Sequence, residues 1–234
     1  MAKKKEEGFN IAEFIAERGA PPAAIEWARP YGTDLRRFWN ECERGEFMVS
    51  VATNLQVPFG CIVQAVTECV VSSMRSAPEE LVPSELNKAI EVIERITVAG
   101  GEGSELREVL IPLGELVEKY RARNQIDHPT HRYLEAVLSV GSSYFLTSAN
   151  ISAAHAQLSA ALQAAAHARV AVVSRENVPP AVCRYVYNQS LNEFAGRVRE
   201  FIPFEGLVGG MVRTAIVYRA MRNGEEFEVD EMEC

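Results

Sequence analysis

Apolar side chains recur along this chain at intervals of three and four residues, segment after segment. Between Ser84 and Gly101 the stripe Leu86, Ile90, Ile93 and Ile96 gives a helix one apolar face, with Ser84 placed as N-cap and Gly100 and Gly101 as the stop. Ser104 opens the next helix, with Leu106, Val109, Leu110, Leu113, Leu116, Val117 and Tyr120 inward. Pro112 lies inside that stripe. It lacks a backbone donor and crowds the preceding turn, which predicts a kink or a break. Upstream, Ile62, Val66, Cys69, Val70 and Ser73 share one face after Pro58, and Asn10 and Thr33 are placed as caps of two shorter helices. Downstream, a helix starts at Asp127 or Thr130. Another carries ten alanines between Ile151 and Val173, the residue with the highest helix propensity and no side-chain entropy to lose. Pro179 and Pro180 open the next.

These periodicities predict an all-α fold: an antiparallel array or bundle of seven to ten helices, without the buried β-branched runs of alternating βα units. Residues 1–32 read as a short helical arm, 33–203 as the main helical domain, and 204–234 as a C-terminal segment with an acidic tail. Within that segment, Asn223-Gly224 fits the two-residue turn of a small β-hairpin, and a helix followed by a tail is the other reading.

Composition adds three constraints. The chain is 47% hydrophobic and 24% charged over 234 residues, a globular balance. No apolar run approaches the roughly 20 residues of a membrane span, and "MAKKKEEGFN" leads into no apolar core, so the expectation is a cytoplasmic protein without a membrane partner. Five cysteines, an odd number without CxxC spacing, read as reduced thiols. The net charge of −8 is uneven: residues 1–117 hold 12 basic and 19 acidic side chains, 118–223 hold 12 and 7, and the last eleven hold six acids and no base. The balance disfavours nucleic acid. Arg197, Arg199, Arg213, Arg219 and Arg222, with Tyr185, Tyr187 and Phe194 near them in sequence, are expected to answer the protein's own acids. Phe227, Val229 and Met232 interleave the acids of the tail, which is expected to dock on that basic region or on the same region of a second copy.

Candidate chemistry is sparse. His128, His131 and Glu135 are spaced to face one direction on a helix, which a metal-dependent enzyme would need, but Pro129 keeps His128 outside the helix body and no fourth ligand is fixed by spacing. A polar helix start is the plainer reading. His155 and His167 fall about 120° apart around a helix axis, too far to share an ion. No nucleophile elbow, phosphate loop or zinc-protease motif occurs, and no cofactor is expected. The stretch "LRRFWNECERGEFM" is the densest. Trp39 and Cys42 are helical neighbours, Arg44 suits a helix C-terminus, Gly45 permits a sharp turn, and Glu46 sits at the next helix start. Together they describe a helix corner with an aromatic anchor and an ion pair, or a partner-binding surface with Trp39 as its hot spot.

The pattern W-x-x-C-x-R-x-x-[aromatic]-[M/L], in Trp39, Cys42, Arg44, Phe47 and Met48, with the acid Glu46 before the aromatic, resembles the start of helical immunity proteins from bacterial polymorphic-toxin systems. The resemblance is carried by 39–48 and extends loosely over 33–175. It implies a non-enzymatic module that binds another protein, with a basic toxin as the fitting partner for an acidic chain. Two other expectations stand beside it: an assembly subunit that self-associates through its terminal segments, and a metal-dependent enzyme using His128, His131 and Glu135.

Overall fold

The computed structural model describes residues 10–17, 22–146 and 150–209. Ten α-helices carry most of them: α1 (Ile11–Glu17), α2 (Pro22–Ala28), α3 (Leu35–Glu41), α4 (Gly45–Asn54), α5 (Phe59–Arg75), α6 (Ser84–Ala99), α7 (Gly103–Ala122), α8 (Pro129–Leu146), α9 (Ile151–Ser174) and α10 (Pro180–Phe201). Single 3-10 turns at Arg29–Tyr31 and Glu79–Leu81 and a helical turn at 204–209 complete the fold, and no strand occurs among the described residues. The fold is all-α. No helix among these residues is long and apolar enough to cross a membrane.

The alanine-rich α9 is the axis, because small side chains let neighbours come close on several sides. Ala154, Ala161, Ala165, Ala166 and Ala168 are buried beside Leu158 and Leu162, and α4, α5, α8 and α10 all pack on this helix. Short connections make α8, α9 and α10 run antiparallel in sequence order. Crossing α8 and α7 needs Gly141, where a Cβ would meet the Leu110 side chain at 2.6 Å. One core runs through the described residues: Ile11 and Ile15 of α1, Ile62 and Val66 of α5, Ile93 of α6, Val137 of α8, and Ile202 and Leu207 after α10 all belong to it.

Buried polar groups tie the layers. Ser73 of α5 donates to the Ala165 carbonyl at 3.0 Å and accepts from Arg169 Nε at 3.2 Å, and its own carbonyl accepts from the Tyr133 hydroxyl at 3.1 Å. Arg169 also pairs with Glu193 of α10 and lies over the Phe194 ring. Four helices thus share one hydrogen-bonded knot, which fixes their register as apolar packing alone would not.

Local readings shift in four places. α7 runs unbroken from Gly103 to Ala122 through Pro112. Both Pro112 and Glu108, whose carbonyl loses its helical partner, lie on the exposed face, where water replaces the missing bond. Asp34, not Thr33, caps α3, its Oδ1 accepting from Arg37 N at 2.9 Å. Ser84 is the first residue of α6 and makes no cap bond. Neither Asp127 nor Thr130 caps α8; His128 Nδ1 accepts from Thr130 N at 3.2 Å. Asn10 does cap α1, accepting from Glu13 N at 3.2 Å. The Asn223-Gly224 hairpin, the tail residues Phe227, Val229 and Met232, and Arg213, Arg219 and Arg222 lie outside the described residues.

Candidate functional site

The residues of 39–48 form the corner between α3 and α4. Trp39 and Phe38 point inward from α3, and Trp39 is 1% exposed. A buried indole needs a partner for its N–H, and Trp39 Nε1 donates to the Ile202 carbonyl at 3.1 Å, 163 residues away. Cys42 closes α3. Its thiol is fully buried, donates to the Arg44 carbonyl at 3.3 Å, and is pushed up to about 12 chiefly by that burial, so it is no nucleophile near neutral pH.

Arg44 does not end α3. It is the N-cap residue of α4, and its side chain runs forward to Glu46, with Nε donating to Oε1 at 2.7 Å and the guanidinium 4.7 Å over the Phe47 ring. The cation at the C-terminus of α3 is Arg199 of α10, which donates to the carbonyls of Cys42 at 2.8 Å and Trp39 at 3.2 Å. Glu46 is 2% exposed in the first turn of α4, where the helix dipole favours a carboxylate. Gly45 serves proximity: a Cβ there would meet Phe194 Cβ at 2.9 Å and Ala195 N at 3.1 Å, so α10 rests against the bare start of α4. Arg36 adds an outer tie, pairing with Glu205 at 3.4 Å and lying over the Phe204 ring. The corner therefore faces inward, and its side chains contact the protein's own helices.

His128, His131 and Glu135 are only partly brought together. His131 is buried, with neither ring nitrogen hydrogen-bonded among the described residues and Nδ1 3.6 Å from Glu135 Oε2. Glu135 is already held by Arg132 at 3.0 Å and Arg121 at 3.6 Å, two cations that oppose a metal. His128 uses Nδ1 on the Thr130 amide and lies beside the Tyr120 ring. Among the described residues no group of three His, Cys, Asp or Glu side chains is placed to hold a metal ion. His155 and His167 stand apart, against Phe59 and Tyr187 respectively.

The opposite condition holds on the α6 and α7 side. Residues 76–118 carry ten carboxylates against three cations, a net of −7. Arg95 answers Glu105. Glu79, Glu80, Glu91, Glu94, Glu108 and Glu115 are exposed and make no salt bridge among the described residues. Two of the most exposed aliphatic side chains lie on the same helices, Val98 at 74% and Ile111 at 56%. Regional charge signalled this side in the sequence, although no motif marked it. Compared with known proteins, the chain matches no family model, no curated protein and no solved structure.

Proposed function

We propose that this chain is a non-enzymatic helical module that binds another protein, and that the partner presents a basic surface, as a toxin does to an immunity-type protein. The observation that carries this reading is the α6 and α7 side, where carboxylates without ion-pair partners among the described residues share two helices with exposed aliphatic groups. Carboxylates of one sign raise the rate and selectivity of encounter with a basic partner, while the apolar side chains supply the contact that holds it. The same field repels nucleic acid and anionic membrane surfaces. The 39–48 motif supports the immunity-type reading as a fold determinant, since its side chains are engaged inside the corner.

The test is co-expression with the proteins encoded beside this one, followed by co-purification and titration at increasing salt. The expected result is a complex with a basic protein that weakens as salt rises. A failure to bind any basic neighbour, or a complex indifferent to salt, would contradict the proposal. A second reading, an assembly subunit, draws on a different surface: Tyr185 and Val182 of α10 are 67% and 37% exposed. It predicts a dimer or larger species by mass measurement that Tyr185→Ala returns to monomer.

A further inference from the structure

Where α5 ends and α6 begins, two helical stripes wall a groove of about 670 Å³. Val71, Met74 and Arg75 line it from α5, and Asn87, Ile90, Glu91 and Glu94 from α6, with Glu79 and Val82 on the connection between them. The spacing on α6 is i, i+3, i+4 and i+7, so one continuous strip of that helix faces the trough. Its floor is apolar: Met74 and Ile90 are each 6% exposed, and Val71 and Val82 are half-buried. Its rim is acidic, and none of Glu79, Glu91 and Glu94 has an ion-pair partner among the described residues. Arg75 is the one cation in the lining among the described residues, and it is turned to Glu68 at 3.3 Å. The Asn87 amide, exposed, makes no hydrogen bond among the described residues and offers both a donor and an acceptor.

We propose that this groove takes an amphipathic helix of the partner, apolar on the face that enters and lysine- or arginine-rich on the flank that meets α6. The inference rests on the protein-binding reading above and specifies where and what it binds. Three features select this occupant. The apolar floor requires side chains that gain by leaving water. The carboxylates lie on the connection and on α6, with Arg75 on the α5 side, so the cations are required on the flank that meets α6. A trough with one wall formed by a helical strip from Asn87 to Glu94 suits the helix-in-groove mode, in which anchors at i, i+3 or i+4, and i+7 enter together. A small polycation would satisfy the carboxylates and leave the half-buried Val71 and Val82 partly in water.

The experiment uses the full-length protein and a ~15-residue amidated peptide of lysine, alanine and leucine, with leucines on one helical face. Methyl NMR reads the site. The expected result is saturable shifts at Val71, Met74, Val82 and Ile90, about tenfold weaker binding for Glu91→Gln/Glu94→Gln, and loss of the shifts when serine replaces leucine in the peptide. Shifts spread evenly over α7, no shifts at all, or spermine binding the groove as well as the peptide does, would each overturn the proposal. The peptide is tested without any natural partner, so the two readings can fail separately. An empty groove beside a salt-sensitive protein complex removes the groove alone, and a filled groove with no basic partner protein removes only the wider reading.

Discussion

The corner at 39–48 and the groove between α5 and α6 are built from the same kinds of residue, and the chain treats them in opposite ways. Each joins apolar side chains to carboxylate and arginine. At the corner, Glu46 is buried and held by Arg44, the Trp39 N–H is taken by Ile202, and the exposed end of α3 is closed by Arg199. In the groove, Glu79, Glu91 and Glu94 stand in water unpaired, and the arginine turns away to Glu68. A dense cluster in sequence is thus taken up by folding, while a sparse one is left unpaired among the described residues.

The corner should break the fold when it is cut. Trp39→Ala removes the largest fully buried side chain and strands the Ile202 carbonyl, so a loss of about 3–5 kcal/mol is expected in denaturant unfolding. Arg44→Ala leaves Glu46 as a buried charge without its cation. Because Arg44 keeps 35% of its side chain in water, the cost should lie near about 3 kcal/mol, the lower end for a buried pair broken from one side. Adding Glu46→Gln to that variant should recover part of the loss, since no charge then remains to be buried. Gly45→Ala is the mildest cut, with about 1–3 kcal/mol lost as Phe194 and the α10 backbone are pushed back. If all three melt like the parent, the corner does not hold the fold.

The helices were legible because apolar spacing is local information: the stripes at 86–96 and 106–120 and the alanine run at 151–173 each reappear as one helix. The closing contacts were not. Arg199 reaches Cys42 across 157 positions and Trp39 reaches Ile202 across 163, and nothing within a few residues of either end marks the other. Likewise Pro112 reads as a break until the exposure of its face is known. The groove needed two helices and their connection to be set side by side, whereas its charge was visible in the regional excess of carboxylates.

Acid supplies a smaller and more diffuse effect. Burial holds His155 down to about 4 and lowers His128 and His167, so the folded chain takes up fewer protons than the unfolded chain below the ordinary histidine value of about 6.5. The contribution of His155 is fully present above that value and is lost as pH falls from about 6.5 towards about 4. Melting temperatures measured between pH 7 and pH 5 should therefore fall, and His155→Phe should flatten the slope. An identical slope in that variant would place the acid sensitivity elsewhere. Smallest of all is the expected stability effect of Glu91→Gln/Glu94→Gln, within about 0.5 kcal/mol of the parent, because exposed side chains without partners hold nothing in place.

The division between a corner that folds and a side that binds is tested most directly by one paired measurement: affinity for the basic lysine–leucine peptide and melting temperature, on Trp39→Phe and on Glu91→Gln/Glu94→Gln. Trp39→Phe keeps a ring in the core and loses the bond to Ile202. The expected result is a lower melting temperature with unchanged affinity for Trp39→Phe, and an unchanged melting temperature with about tenfold weaker binding for the double variant. Weakened binding in a Trp39→Phe protein that melts like the parent, together with full affinity in the double variant, would contradict the account and return the partner site to the corner.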